Sequence, residues 1–203
     1  MELIISDALG STVKYGKNPK IKDCTRKVYA DNTLPLQSGD HKYGEIITFN
    51  SLENDKYAIA IGINPAKGEL IFFDKTNFNV AKEIKGIGTY RGYYLLNLYS
   101  ILQSDTQKLG TYIKNNPDDV INNMQDTILK RLLDSDEDIF IFWGPKAVER
   151  KLITNPYLLK TIELLLSAKR NIFYSADVNG NFIHPSNKGF NTFLKLNNIS
   201  SIL

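Results

Sequence analysis

The stretch Tyr57-Ala58-Ile59-Ala60-Ile61-Gly62-Ile63-Asn64-Pro65 decides the fold. Ala58 to Ile63 form a continuous apolar run that Asn64-Pro65 closes, as in a buried strand that ends in a loop. Three similar runs follow along the chain: Tyr93 to Tyr99, Ile139 to Trp143, and Ile172 to Ala176. Unbroken apolar runs are typical of parallel strands that are buried on both faces. The sequence therefore predicts a mainly parallel sheet of about four strands.

Helical patterns lie between and after these strands. The clearest begins with Pro117-Asp118-Asp119, where proline and acids suit a first turn, and continues as an apolar stripe to Leu133. Three more helices are predicted, at residues 145–152, 156–169 and 187–197. Strands that alternate with helices predict an α/β fold, here a three-layer α/β/α domain. In such domains ligands bind beyond the carboxyl ends of the strands.

The composition narrows the class of protein. The chain has 203 residues, of which 42% are hydrophobic, so it can bury a core and is not disordered. Its single cysteine, Cys24, excludes an internal disulfide and Cys-rich metal sites. The short apolar run Leu3 to Ile5 does not resemble a signal peptide, and no run approaches the roughly 20 residues that span a bilayer. We therefore expect a reduced, cytoplasmic protein that does not enter membranes.

The charges, which sum to +3, are unevenly distributed. Residues 11–30 are rich in lysine and arginine, and a second basic stretch follows Trp143. We interpret residues 1–56 as a basic N-terminal extension with short strands, and residues 57–203 as the α/β domain. The two basic regions are compatible with a face that follows a phosphate backbone, although charge alone favours an ordinary solvated surface.

Polar side chains stand at or just after the predicted strand ends. Asn64 could hold a water molecule through its amide or simply cap a turn. Asp74 could cap the helix that follows or act as a general base. Asn97 ends an apolar strand, so its amide needs a partner, and its donor and acceptor could read the edge of a base. His184 lies in a rigid His-Pro turn, where we favour a catalytic over a structural role.

Two further features accompany these positions. Phe72 and Phe73 precede Asp74 and could belong to the core or form a platform on which a base stacks. The stretch Phe142-Trp143-Gly144-Pro145-Lys146-Ala147 is typical of a strand, a glycine turn and the N-terminus of a helix. Such a terminus is a natural anion site.

As an ordered set, these motifs resemble the uracil-DNA glycosylase superfamily. The corresponding stretches are Gly62-Ile63-Asn64-Pro65, Leu95-Leu96-Asn97, Phe142 to Ala147, and His184-Pro185-Ser186. The first is similar to the mismatch-specific thymine/uracil branch. Residues 57–197 also resemble an uncharacterised bacterial and phage family, domain of unknown function 1643, in their Asn-Pro, Asp74-Lys75-Thr76, Trp-Gly and His-Pro motifs. The leucine wedge of uracil-DNA glycosylases is absent here, and Phe190 or a residue of the N-terminal extension could replace it. The tyrosine that excludes thymine from uracil-specific enzymes is also missing, which implies a wider pocket.

The resemblance implies a monofunctional DNA glycosylase that needs neither metal nor cofactor and acts on a flipped-out base. Its implied catalytic residues are Asn64, Asp74 and His184. The implied base-binding residues are Ile63, Phe72, Phe73 and Asn97, and the implied DNA-binding residues are Lys67, Arg91, Lys146, Ser186 and Lys188.

We therefore expect a monomer that excises a modified, damaged or mispaired base from single- or double-stranded DNA. Hypermodified phage bases belong to this substrate class, which would suit a role in genome defence as well as in repair. Two alternatives stay open: a catalytically inactive nucleic-acid- or nucleotide-binding module of the same fold, and an N-glycosidase of nucleosides or nucleotides.

Overall fold

The structure, a computed structural model, describes residues 2–6, 24–30, 38–50, 52–65, 74–103, 105–116, 136–145, 163 and 170–197. Within these residues the chain forms eight strands and two helices. The strands are β1 (Glu2–Ser6), β2 (Cys24–Ala30), β3 (Lys42–Phe49), β4 (Tyr57–Gly62), β5 (Gly92–Asn97), β6 (Ile139–Ile141), β7 (Ile172–Ala176) and β8 (Thr192–Lys195). The helices are α1 (Lys75–Ile87) and α2 (Thr106–Asn115).

All eight strands belong to one mixed sheet with the order β1-β2-β3-β5-β4-β6-β7-β8. The inner strands β5, β4, β6 and β7 are parallel to one another. The other four of the seven pairings, at both flanks of the sheet, are antiparallel. The prediction of a mainly parallel α/β/α fold with about four strands is therefore wrong. It failed because the flanking strands lack the continuous apolar runs that identify buried parallel strands.

The segment before residue 57 contributes to this sheet directly. In β3 buried and half-buried residues nearly alternate, as in a strand with one face on a core. β3 pairs with β5, and β4 pairs with β5 on its other side. The boundary predicted between residues 56 and 57 thus falls between two strands that flank the same neighbour.

Both faces of the sheet carry an apolar core. On one face Val80, Ala81 and Ile84 of α1 pack against side chains of the inner strands, including Tyr93. On the other face Leu109 of α2 packs among Ile59 and other isoleucines and leucines of the inner strands. The inner strands are apolar on both sides because both of their faces are covered.

Local signals fix the ends of α1. Asp74 is the N-cap residue, and its Oδ1 accepts a hydrogen bond from the backbone N–H of Asn77 at 2.9 Å. Gly88 ends the helix in the left-handed conformation with φ 75°. The first turn of α1 lies at the carboxyl ends of the parallel strands, next to the ends of β4 and β5.

The chain after β7 returns as a strand. Residues 187–197 were predicted to be helical, whereas β8 runs antiparallel to β7 within this segment, so that prediction is wrong. A short apolar segment is compatible with either a helix or a strand, and here pairing with β7 stabilises the strand. The helices predicted at 117–133, 145–152 and 156–169 lie outside the described residues apart from Pro145 and Glu163. Neither described helix has the length and apolar character needed to cross a membrane.

Candidate active site

A cavity of about 260 Å³ lies at the carboxyl ends of β4 and β5, beside the first turn of α1. We call it the strand-end cavity. Five of the residues proposed from the sequence line it together, namely Ile63, Asn64, Asp74, Asn97 and His184. Its other described lining residues are Lys42, Pro65, Thr76, Asn77, Leu95, Gln103 and Phe142. The site thus unites segments that are far apart in sequence, at the place where α/β sheets bind ligands.

Asn64 is fixed by the loop that follows β4. Its Nδ2 donates to the carbonyl of Gln103 at 2.6 Å and lies 3.4 Å from the carbonyl of Pro65. Because both contacts use the NH2 group, Oδ1 is left as the acceptor that Asn64 can offer to the cavity. A water molecule held there would donate a hydrogen bond to Oδ1.

Asn97 ends β5 directly beside Gly62, which is its partner in the parallel ladder. A Cβ at Gly62 would lie 2.9 Å from Oδ1 of Asn97 and 2.8 Å from the ring of Phe142. The glycine therefore leaves the space that both side chains occupy. Within the described part of the chain the Asn97 amide has no hydrogen-bond partner, so both its donor and its acceptor are available to a ligand.

His184 follows a turn that joins β7 to β8. The backbone N–H of Ser186 donates to its Nδ1 at 3.2 Å, and the Ser186 hydroxyl lies 2.8 Å from the same atom. Because Nδ1 accepts, the neutral ring carries its proton on Nε2. The side chain amide of Asn79 in α1 donates to the carbonyl of Pro185 at 2.6 Å, which fastens the loop to the helix.

Asp74 has both carboxylate oxygens engaged by Asn77. Oδ1 accepts from the Asn77 backbone N–H, and Oδ2 accepts from its side chain amide at 3.0 Å. Burial raises the pKa of Asp74 above its ordinary value, although the hydrogen bond from Asn77 opposes this change. The capping role that the sequence suggested is confirmed, and the carboxylate also lines the strand-end cavity.

Three buried charged residues form one cluster of ion pairs, and we call them the charge triad: Arg26, Lys42 and Glu45. Arg26 donates through Nε to Oε2 of Glu45 at 2.9 Å, and Lys42 pairs with Oε1. These two cations hold the pKa of Glu45 at about 2 despite its complete burial. Lys42 also lines the cavity. Sequence reasoning missed the triad, since isolated charges on strands ordinarily face solvent.

A second groove, of about 300 Å³, lies between α1 and the turn after Ser186. Its rim carries three exposed lysines, Lys75, Lys82 and Lys188, with Glu83 as the one acidic residue among those that line it. We call it the lysine groove. In the described ranges none of the three lysines forms an ion pair. Lys188 was predicted to contact DNA, whereas nothing in the sequence singled out Lys75 and Lys82.

The remaining proposed residues are placed differently. Ser186 contacts His184 as described. Arg91 precedes β5, so it lies at the opposite end of this strand from Asn97, and it is 3.5 Å from Asp55. Lys67, Phe72, Phe73 and Lys146 lie outside the described residues. In the described ranges no three His, Cys, Asp or Glu side chains come together as metal ligands would.

The sequence comparisons identify a family without an assigned activity. Residues 47–186 match the family described as "Protein of unknown function (DUF1643)", which confirms the resemblance seen in the Asn-Pro, Trp-Gly and His-Pro motifs. No curated protein and no solved structure matches the chain. The match spans Asn64, Asp74, Asn97 and His184 but leaves Arg26, Lys42 and Glu45 outside. Because it covers well over half of the sequence, the chain belongs to the DUF1643 family of proteins of unknown function.

Proposed function

We propose that this protein is a DNA glycosylase that hydrolyses the N-glycosidic bond of a flipped-out base. The observation that carries the proposal is the meeting of Asn64, Asn97 and His184 in the strand-end cavity. The motifs around these residues resemble those of uracil-DNA glycosylases, in the same order along the chain. A cavity of about 260 Å³ is small for a drug-like ligand, for which about 300–1,000 Å³ is usual, and suits a single base.

The reaction breaks the bond between C1′ of the sugar and a ring nitrogen of the base. The bonding electrons leave with the base, and the oxygen of a water molecule forms the new bond to C1′. In the proposed mechanism Oδ1 of Asn64 positions this water, while Asp74 accepts its proton. The proton equivalent then returns to the departing base through solvent, so that the products are the free base and an abasic sugar.

In this mechanism Asn97 and His184 recognise the base. The Asn97 amide has an unused donor and acceptor at the cavity, which is the pattern that reads the edge of a base. His184 in the Nε2–H tautomer donates a hydrogen bond to a base oxygen, where negative charge grows as the glycosidic bond breaks. The hypothesis that Phe73 stacks on the base rests on sequence alone.

The test is release of free base from a panel of duplex and single-stranded DNAs, detected by mass spectrometry. The panel contains uracil, thymine mismatches, deaminated purines, and hydroxymethylated and glucosylated cytosine. We expect one of these bases to be released, and release to fall by about 100-fold or more in Asn64→Ala and His184→Ala.

Asn54→Ala is the matched control for Asn64→Ala. Asn54 also donates its amide to a backbone carbonyl, that of Gly88 at 2.8 Å, but it is exposed and does not line the cavity. No release from any substrate, or release that survives in the Asn64 and His184 variants, would contradict the proposal.

One observation favours a binding module as the second candidate. Asp74 is the one carboxylate among the described residues that line the cavity, and Asn77 occupies both of its oxygens. A carboxylate committed to a helix cap is a weaker base than one free to approach water. DNA binding without base release in the same panel would support this candidate.

A further inference from the structure

Lys42 is a buried residue that lines the strand-end cavity, and its side chain carries an ammonium group. The residue is 4% exposed, and its Nζ donates to Oε1 of Glu45. The backbone N–H of Lys42 donates to the carbonyl of Ser100 at 2.8 Å, three residues after the end of β5. This bond places Lys42 at the same end of the sheet as Asn97, and both residues line the strand-end cavity.

Charge balance does not require Lys42. Arg26 alone neutralises Glu45, with two nitrogens directed at one carboxylate oxygen. Burying a second cation beside the same carboxylate is costly, and a further anionic partner in the cavity would offset this cost. The ammonium has three N–H donors, and the described contacts with side chains use one of them, in the bond to Glu45.

Asp74 is the other charge within electrostatic reach. Glu45 raises the pKa of Asp74 and Lys42 lowers it to a smaller extent, so the charge triad and the cap of α1 influence one another. Asp74 is held by Asn77 rather than by Lys42. Lys42 is the residue that β3 contributes to the described lining of the cavity, whereas Glu45 is not among the residues that line it.

We propose that Lys42 binds the departing base in its anionic form, and that the strand-end cavity selects planar, negatively charged heterocycles over their neutral counterparts. The inference rests on the proposed glycosylase function, in which the base leaves with the bonding electrons. Lys42 supplies a positive charge where that electron pair arrives, and His184 supplies a neutral donor. A fixed cation inside a buried site stabilises developing negative charge without needing to reorganise.

The experiment compares two pyrimidine probes with the full-length protein by isothermal titration calorimetry. Barbiturate is an anion at neutral pH and has nearly the shape of uracil, which is neutral. We expect barbiturate to bind at least about tenfold more tightly than uracil, as a charge-assisted hydrogen bond permits. Lys42→Met should remove most of this preference, whereas Lys42→Arg should retain much of it.

Lys56→Met is the matched control, because Lys56 also pairs with a carboxylate, that of Asp138 at 2.9 Å, but does not line the cavity. It should leave the preference for barbiturate unchanged. Thermal unfolding of each variant reports whether the fold persists, and Arg26 remains to pair with Glu45 when Lys42 is replaced.

Three results would overturn the proposal: wild type that binds neither probe, wild type that binds both equally, or a preference that survives in Lys42→Met. The first two results concern the wild-type protein alone, so they can overturn the proposal even if a variant misfolds. Failure of the proposed function looks different, since it is the absence of base release from DNA. A preference for barbiturate that depends on Lys42, without base release, would keep the selectivity of the cavity for anionic heterocycles and remove the glycosylase.

Discussion

Gly144 and His184 touch each other: a Cβ placed on Gly144 would lie 2.7 Å from Cβ of His184 and 3.1 Å from its backbone nitrogen. Gly144 also has φ 74°, a conformation that residues with side chains seldom adopt. The Trp-Gly turn after β6 is therefore the surface against which the His-Pro loop rests. Two motifs that lie about 40 residues apart in sequence form one structural unit.

Replacing Gly144 with alanine should displace His184. We expect base release to fall by about 100-fold, as misplacement of a catalytic group by about 1 Å can cost. Gly88→Ala is a close control, because Gly88 has φ 75° but no atom within 4 Å of its Cβ position. Both variants incur a backbone strain of about 1–2 kcal/mol. Equal losses of activity in the two variants, measured at matched stability, would contradict the proposed contact.

Replacing Gly62 with alanine should disturb base recognition at Asn97. The new methyl group would press on Oδ1 of Asn97 and on the ring of Phe142, both nearer than 3.0 Å. We expect lower discrimination between bases in the release assay, together with a loss of stability of about 1–3 kcal/mol from overpacking. Gly86→Ala in α1 meets no atom within 4 Å and should stabilise the helix by about 0.5–1 kcal/mol.

Glu45 should make stability depend on pH in the acid range. Its pKa lies at about 2 in the folded protein, against an ordinary value of 4.5. The ionised carboxylate therefore contributes stability in full above about pH 4.5, and this contribution is lost as the pH falls towards about 2. We expect wild type to exceed Glu45→Gln in unfolding free energy at neutral pH, where the variant leaves two buried cations without their carboxylate.

Chemical denaturation at several pH values measures this difference. The gap between wild type and Glu45→Gln should narrow between about pH 4.5 and pH 2. Glu53→Gln changes an exposed carboxylate and serves as the control. A constant gap across this range would show that ionised Glu45 is not the stabilising form.

The lysine groove should contribute to DNA affinity if the protein binds DNA beside the strand-end cavity. Lys75 and Lys82 lie two turns apart on α1, and Lys188 faces them from the turn after Ser186. We expect replacement of all three with alanine to weaken binding of a fluorescent duplex. The salt dependence of log K should lose about 0.9 of slope for each phosphate contact removed.

Lys114→Ala is the control for the groove, since Lys114 is an exposed lysine of α2, on the other face of the sheet. Affinity and salt dependence equal to those of this control would remove the groove from the DNA-binding surface.

The inner strands could be predicted from sequence because their signal is local. The apolar runs that begin at Ala58, Tyr93, Ile139 and Ile172 correspond to β4, β5, β6 and β7. Short strands were also predicted within residues 1–56, but their place in the same sheet could not be, because it depends on pairing of β3 with β5, which is distant in sequence. β8 shows the same difficulty, since the spacing of Phe190, Phe193 and Leu194 suits a helix until β7 is present.

The residues of the candidate site also include some that local sequence predicts and one that it does not. Asn64, Asp74, Asn97 and His184 could be found because each is a polar residue at the end of an apolar run or in a rigid turn. Lys42 could not, because its burial depends on Glu45 and on pairing of β3 with β5. Single-sequence patterns carry no information about such long-range pairing.

The position of β3 affects which residues a fragment of this protein or of a relative must include. The family match begins at residue 47, inside this strand, which starts at Lys42. A fragment of residues 47–186 would lose β2, the partners of Tyr94, Leu95 and Leu96 on β3, and every member of the charge triad. It would expose an apolar sheet edge of the kind that joins to other edges, so we expect the fragment to aggregate on expression. Boundaries taken from sequence similarity would thus divide a single eight-stranded sheet.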